Sequence, residues 1–179
     1  MVRVFVALEL SGGMRERLER AQERLRGCSA RLTFVEPKNI HITVKFLGEV
    51  DEKILPAVMD ALKKISFHTF PVNAGRVALN NPRQPRTVWC VIDDAGYGGE
   101  LLRRIEDALA PFGFERETRR YTSHATVARV KLPDPSLVSA IRCIYDTTYG
   151  SCTISGMKLK KSTLTPHGPV YEDLLEVTW

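Results

Sequence analysis

No apolar run in this chain approaches the roughly 20 residues that cross a bilayer, so a membrane span is not expected. The opening stretch 1–10 is apolar but short. It carries Arg3 and Glu9 and lacks a small-residue cleavage pattern, so it reads as a strand rather than a signal peptide. Cysteine is sparse: Cys28, Cys90, Cys143 and Cys152 are far apart, with no Cys-x-x-Cys pair and no histidine at zinc-ligand spacing. Free thiols in a reducing cytoplasm are expected, and a bound metal is not. The phosphate-loop pattern Gly-x-x-x-x-Gly-Lys-[Ser/Thr] is missing, which leaves ATP-driven ligation through a covalent nucleotide without support. Neither charge sign is scarce. The 26 Lys and Arg against 21 Asp and Glu give a formal net charge of +5, which favours a polyanionic partner without establishing one.

What is present is a folded chain of 179 residues, 44% apolar and 26% charged, with room for a real core in one domain or two small lobes. Alternation over 2–10 predicts a strand, and Met14, Leu18, Ala21 and Leu25 at helical spacing predict a helix over 14–26. Two strands, 31–35 and 40–47, flank a turn at 36–39, and Gly48 ends the second. Asp51 reads as the N-cap of a helix to about 65, and a strand follows over 69–79. After the turn-rich 80–85 the order repeats, with a strand at 86–92, a helix at 97–111 and a strand at 122–130. A helix from Asp134-Pro135 to about 145 and strands over 152–161 and 170–178, joined by a loop at 166–169, close the chain. This arrangement predicts a single α+β domain over 1–179 with an internal duplication, approximately 1–80 and 86–179. Two similar lobes of mainly antiparallel sheet would then face each other across a cleft, a natural ligand site.

Two matching tetrapeptides lie in matching strands. His41-Ile42-Thr43-Val44 and His124-Ala125-Thr126-Val127 are 83 positions apart (124 minus 41) and share the form His-x-Thr-apolar. A lone His-x-Thr on a strand is usually a packed or solvent-facing histidine. Two copies at equivalent points of a repeated strand order are harder to dismiss. Side chains alternate along a strand, so each copy presents one imidazole and one hydroxyl on the same face. Facing each other, they supply two proton-exchanging groups and two hydroxyl donors, which suits cleavage of a cyclic phosphodiester. A metal site built from the two histidines is not expected, because neither motif adds a carboxylate or thiolate on that face.

Other residues read less sharply. Lys45 shares parity with His41 and Thr43 and is a candidate for phosphate or RNA backbone, with a solvated lysine as the alternative. Phe5, Phe46 and Tyr121 are readable as base-stacking residues or, more commonly, as core. Arg116, Arg119 and Arg120, with Lys158, Lys160 and Lys161, form local basic groups that either guide RNA or are simply solvated. His68 and His167 lack the threonine partner and read as incidental.

The stretches 34–48 and 123–130, which contain the two tetrapeptides, resemble the paired signatures of the LigT-like branch of the two-histidine (2H) phosphoesterases. The likeness extends to the strand 4–10, to Asn81-Pro82-Arg83, to Phe112-Gly113-Phe114 and to the tail 161–172, essentially the whole chain. Ser123 departs from it, since proline is common before that histidine. The resemblance implies a bilobal fold with helices on the outside, and no metal or nucleotide cofactor. It implies hydrolysis of RNA 2′,3′-cyclic phosphate ends to 2′-phosphates and, in some relatives, 2′-5′ ligation of tRNA halves. His41 would be the general acid for the leaving 3′-oxygen and His124 the general base for water. Thr43, Thr126 and Arg129 would hold the phosphate. Arg129 has the wrong parity on an ideal strand and needs a bulge to reach it. The expected partner is RNA with a cyclic phosphate end, met by a monomer; a non-catalytic RNA-end binder is the alternative.

Overall fold

A computed structural model describes residues 1–145, 147–166 and 168–179. Its elements, in chain order, are β1 (Val2–Glu9), α1 (Gly12–Leu25), β2 (Arg31–Phe34), β3 (His41–Val50), α2 (Leu55–Lys63), β4 (Phe70–Leu79), β5 (Thr87–Asp93), α3 (Tyr97–Leu109), β6 (His124–Leu132), α4 (Pro135–Arg142), β7 (Gly150–Ile154), β8 (Gly156–Thr165) and β9 (Gly168–Thr178). Local chemistry explains the helix starts. Ser11 accepts from the Met14 N–H at 3.3 Å, and Met14, Leu18, Ala21 and Leu25 form the buried face of α1. Asp134 caps α4 by accepting from Ser136 N–H at 2.8 Å, with Pro135 at the first position. The second helix starts later than Asp51, because Asp51 closes a separate turn through Lys53 and Ile54 and Pro56 favours a start beside it.

The fold is α+β. All strands join one curled antiparallel sheet in the order β7-β4-β5-β6-β3-β1-β8-β9, with β2 also paired to β6. Two four-strand lobes, β7-β4-β5-β6 and β9-β8-β1-β3, meet at β6 and β3 through one pair, Ile42 with Ala125. Helices α1 and α4 cover the first lobe, and α2 and α3 cover the second, all on the outer face.

The lobes are not the contiguous stretches 1–80 and 86–179. Strand β4 crosses to pair with β5, and β8 returns to pair with β1, so each lobe borrows a strand from the other stretch. The strand expected over 152–161 is broken accordingly: its start lies beside β4 as β7 and its continuation beside β1 as β8. At the crossing, a Cβ on Gly156 would lie 2.4 Å from the Val177 carbonyl oxygen. A run of strand-forming residues carries no mark of such a change of partner.

Nor do β2 and β3 pair with each other. Both run along β6, and residues 36–40 between them form an excursion containing a tight turn at Pro37–Asn39. Two bulges then decide what faces inward. Val6 lies opposite Lys45 and Ala7 opposite Thr43, which leaves Val44 unmatched; Val88 lies opposite Ala128 and Trp89 opposite Thr126, which leaves Val127 unmatched. The bulged residue is in each case the fourth member of the His-x-Thr-apolar motif, and beyond it the alternation of faces is reversed. A further irregularity skips Leu47 and lets β3 continue through Gly48 at φ +73°, so that glycine does not end the strand.

The bulge at Val44 removes Lys45 from the candidate phosphate ligands. Its side chain points to the helix layer, 8% exposed, where Nζ donates to Glu106 Oε1 at 2.7 Å and to the Glu115 carbonyl at 2.8 Å. Glu106 Oε1 also accepts from Glu117 N–H at 2.6 Å, so this buried pair ties the segment after α3 to β3. Replacing Glu106 by alanine strands the ammonium in the interior and is expected to cost about 3–5 kcal/mol in urea denaturation. A loss below about 1 kcal/mol would show that the pair does not hold this layer together.

Candidate active site

On the inner face of the sheet a cavity of about 610 Å³ brings together His41, Thr43, His124, Thr126 and Arg129. The bridge between Ile42 and Ala125 explains why. One residue to either side in an antiparallel register places His41 across from Thr126, and Thr43 across from His124. All four then share one face, with the two histidines on a diagonal that in an ideal sheet spans about 7–8 Å, somewhat less between Cβ atoms. The five sequence-identified residues are therefore neighbours. The bulge at Val127 supplies the reversal that Arg129 needs, turning its exposed side chain into the cavity.

The histidines are held alike. His41 Nδ1 lies 2.7 Å from the Asn39 carbonyl oxygen, and His124 Nδ1 lies 2.8 Å from that of Thr122. A carbonyl only accepts, so each Nδ1 carries hydrogen and each neutral ring keeps its lone pair on Nε2. At His41, Nε2 faces the Thr43 hydroxyl at 3.2 Å. Each ring also lies on an aromatic platform from the neighbouring strand: His41 on Phe5, with centroids 5.0 Å apart, and His124 on Trp89, at 3.8 Å. Tyr171 adds an edge contact to His41 at 5.5 Å. The platforms leave each imidazole little freedom except at Nε2.

The supports reach behind the sheet. Gln22 of α1, 2% exposed, donates from Nε2 to the carbonyls of Val35 at 2.6 Å and Val127 at 2.9 Å. It thus braces the bulge that aims Arg129. Before His124, Ser123 donates to Asp94 Oδ2 at 2.5 Å, and the Tyr121 hydroxyl donates to the Thr43 carbonyl at 3.2 Å. Tyr121 so fastens one motif to the approach of the other. Gly98 packs against this knot, where a Cβ would lie 2.3 Å from Asp94 Oδ2.

Charges are uneven around the cavity. Lys160 sits between Glu9 at 2.7 Å and Asp173 at 2.6 Å, Lys158 binds Asp173 at 2.6 Å, and Lys161 faces Glu172 at 3.4 Å. Arg116 binds Asp107. These cations are engaged by carboxylates, which weakens them as guides for RNA. His68 stacks on Phe67 at 4.7 Å and is not among the cavity residues, while His167 lies outside the described residues. Among the described residues no group of three His, Cys, Asp or Glu side chains is arranged to hold a metal, the four cysteines are unpaired, and no helix is long and apolar enough to cross a membrane.

Sequence reading did not reach the platforms Phe5 and Trp89 in that role, nor Gln22, Thr33, Lys131 or the backbone acceptors. A signal was available for the platforms: an aromatic residue precedes each histidine at nearly the same distance, 36 positions for Phe5 and 35 for Trp89 (41 minus 5, 124 minus 89).

Burial lowers the His41 pKa from 6.5 to about 4, with Lys160, Arg15 and Arg129 adding repulsion and the Asn39 carbonyl opposing them. Burial also lowers that of His124. Both rings are therefore neutral at pH 7 in the free protein. Between 6.5 and 4 the unfolded chain binds the His41 proton while the folded chain does not, so this contribution to stability is complete above pH 6.5 and is lost as pH falls toward 4. Its size is about 3 kcal/mol. Urea denaturation across pH 4–7 should show wild type losing that amount of stability relative to His41→Gln as the pH falls. Parallel curves would mean that the ring titrates normally.

The family model described as LigT like Phosphoesterase matches residues 8–89 and 98–171. The RNA 2′,3′-cyclic phosphodiesterase of Archaeoglobus fulgidus is 34% identical over 174 residues, covering 97% of this chain and 98% of that protein. That of Methanothermobacter thermautotrophicus is 36% identical over 180 residues, covering 97% and 96%. Among solved structures, TT0787 of Thermus thermophilus superposes with a TM-score of 0.82 at 24% identity, covering 98% of this chain and 97% of that one. E. coli LigT complexed with 3′-AMP gives 0.76 at 20% identity, covering 99% and 97%. These two likenesses concern the fold.

Proposed function

The chain belongs to the LigT-like phosphoesterases of the two-histidine (2H) superfamily, and from that premise we propose that it hydrolyses 2′,3′-cyclic phosphate ends of RNA to 2′-phosphates. The observation that carries the reading is the pair of imidazoles in one cavity, each with Nδ1 committed to a main-chain carbonyl and Nε2 left for chemistry. The relatives from Archaeoglobus and Methanothermobacter bear the name of that activity. Free thiols at Cys28, Cys90, Cys143 and Cys152 support a reducing cytoplasmic setting.

In the proposed reaction the cyclic phosphate sits between the two rings. His124 Nε2 takes a proton from water as its oxygen attacks phosphorus, and the bond from phosphorus to the ribose 3′-oxygen breaks on the opposite side. His41 Nε2–H protonates that oxygen. The product is a 2′-phosphate with a free 3′-hydroxyl, and the two histidines exchange protons with solvent to reset. Thr43, Thr126 and Arg129 donate to the non-bridging oxygens, where they are already in place when charge builds. An RNA 5′-hydroxyl in place of water would give a 2′-5′ linkage by the same steps, so joining of tRNA halves belongs to the proposal.

The acid role of His41 needs a proton that the free ring holds poorly. An anionic phosphate supplies the missing attraction and draws Arg129 to itself, and both effects raise the pKa on binding. For kcat/KM, which reports the free enzyme, the fall on the alkaline side should have an apparent pKa below 6.5; for kcat it should lie higher. Coincident limbs would remove the substrate-induced rise. His41→Ala and His124→Ala should each lower kcat on a cyclic-phosphate RNA oligomer by about 10²–10⁴-fold in the presence of chelator, with 2′-phosphate as the wild-type product. Unchanged rates would end the proposal. Tight, salt-dependent binding without turnover would favour an RNA-end binder, and linkage analysis on tRNA halves tests the joining reaction.

A further inference from the structure

The cavity is lopsided, although the motifs that build it are matched. Each bulge turns the residue five positions after the histidine inward: Arg129 on β6 and Phe46, 67% exposed, on β3. Beyond Arg129 the cationic character continues. Lys131, two residues on, is exposed, lines the same cavity and shares its face, roughly 7 Å along the strand. Across from Arg129 lies Thr33 of β2, also lining the cavity; two residues before it the exposed Arg31, just beyond the cavity lining, pairs with Leu132, beside Lys131, which the register shift leaves unmatched. Among the described residues, no carboxylate pairs with Arg31, Arg129 or Lys131, whereas the lysines of β8 are all engaged. Glu36, the acidic residue lining this cavity, is held by Lys38 at 2.9 Å. Among the described residues, the opposite end holds a single cation, the exposed Arg3, beside Phe46 and the 68%-exposed Leu164.

A cyclic phosphate ends its RNA, so the rest of the strand leaves the site in one direction only, toward its 5′ side. We propose that it leaves along β6 and β2. Lys131 and Arg31 neutralise the phosphates of the nucleotides just 5′ of the cyclic end, and the Thr33 hydroxyl donates to the same backbone. The substrate class is then a single-stranded RNA end of several nucleotides rather than a cyclic mononucleotide, and recognition beyond the terminal nucleotide is by charge and not by base identity. This rests on the proposed function: the cyclic phosphate must sit between the two histidines for the strand to start there. Lys131 and Arg31 stand beside each other on adjacent strands, beyond Arg129 and the Thr33 hydroxyl opposite it, and this succession suits a backbone leaving the site better than a single small anion.

The test compares a cyclic-phosphate RNA pentamer with a 2′,3′-cyclic mononucleotide in wild type, Lys131→Ala, Lys131→Glu and the double variant Lys131→Ala/Arg31→Ala. The surface variant Lys63→Ala controls for charge loss elsewhere. The double variant should lower pentamer kcat/KM at low salt at least about tenfold more than it lowers mononucleotide kcat/KM, mainly through KM, and Lys131→Glu should exceed Lys131→Ala. The slope of log affinity against log salt for a 2′-phosphate-ended pentamer should become shallower by about 1.4, or about 0.7 for each lost phosphate contact. That binding arm needs no turnover. If wild type cleaves neither substrate but the slope changes, the activity fails and the track stands. Equal effects on the two substrates, or an unchanged slope, would overturn the track while leaving the hydrolase reading intact.

Discussion

The two lobes share one backbone pairing at the centre of the sheet, and the site depends on where that pairing falls. Ile42 opposite Ala125 is the register that sets each His-x-Thr motif against the other. A shift of one residue would turn either histidine toward the helix layer, where its ring would meet the packed core instead of the cavity. Little of the contact between β3 and β6 is ordinary sheet pairing, so the register has to be secured from elsewhere. The exchanged strands contribute, since β4 and β8 bind each stretch of chain to the opposite lobe. The Tyr121 hydroxyl on the Thr43 carbonyl adds a tie across the joint itself.

Symmetry explains how a small chain builds two nearly equivalent imidazole settings. Each motif ends in a valine that becomes the bulged residue, each bulge is braced by a buried polar side chain from a helix behind the sheet, and each histidine lies on an aromatic ring from the adjacent strand. The braces differ in kind. Gln22 bonds directly to the carbonyl of bulged Val127, whereas Glu106 acts through the Lys45 ammonium beside bulged Val44. A neutral amide satisfies buried carbonyls without bringing a charge into the core, while a buried ammonium requires its carboxylate.

The elements and both motifs could be read from the sequence because they rest on local chemistry: alternation in β1 and β5, the buried stripe of α1, the cap at Asp134, and two tetrapeptides of identical form. What could not be read involved partners distant in the chain. The expected pairing of 31–35 with 40–47 overlooked that both run along β6, and the single strand expected over 152–161 concealed a change of lobe. Lys45 and Arg129 show the cost of assuming ideal alternation. The same assumption placed the first in the cavity and the second out of it, and one bulge in each strand reversed both. A bulge follows from the register of two strands and the atoms behind them, which a single strand's residues do not encode.

Where the symmetry fails, the site acquires a direction. Strictly equivalent halves would leave acid and base interchangeable, and a substrate would bind in either sense. His41 is the more deeply set ring, with Lys160, Arg15 and Arg129 around it, so it loses its proton most readily when the cavity is empty and gains most when an anion arrives. His124 is depressed by burial alone, opposed by its backbone acceptor. In the proposed reaction an incoming phosphate would therefore act unequally on the two rings and bias the shared proton toward His41. The same inequality continues outward, where Arg129 answers Phe46 across the cavity and Lys131 and Arg31 follow on one side against Arg3 on the other. On the proposed reading, proton direction and strand direction both follow from departures from symmetry in an otherwise repeated frame.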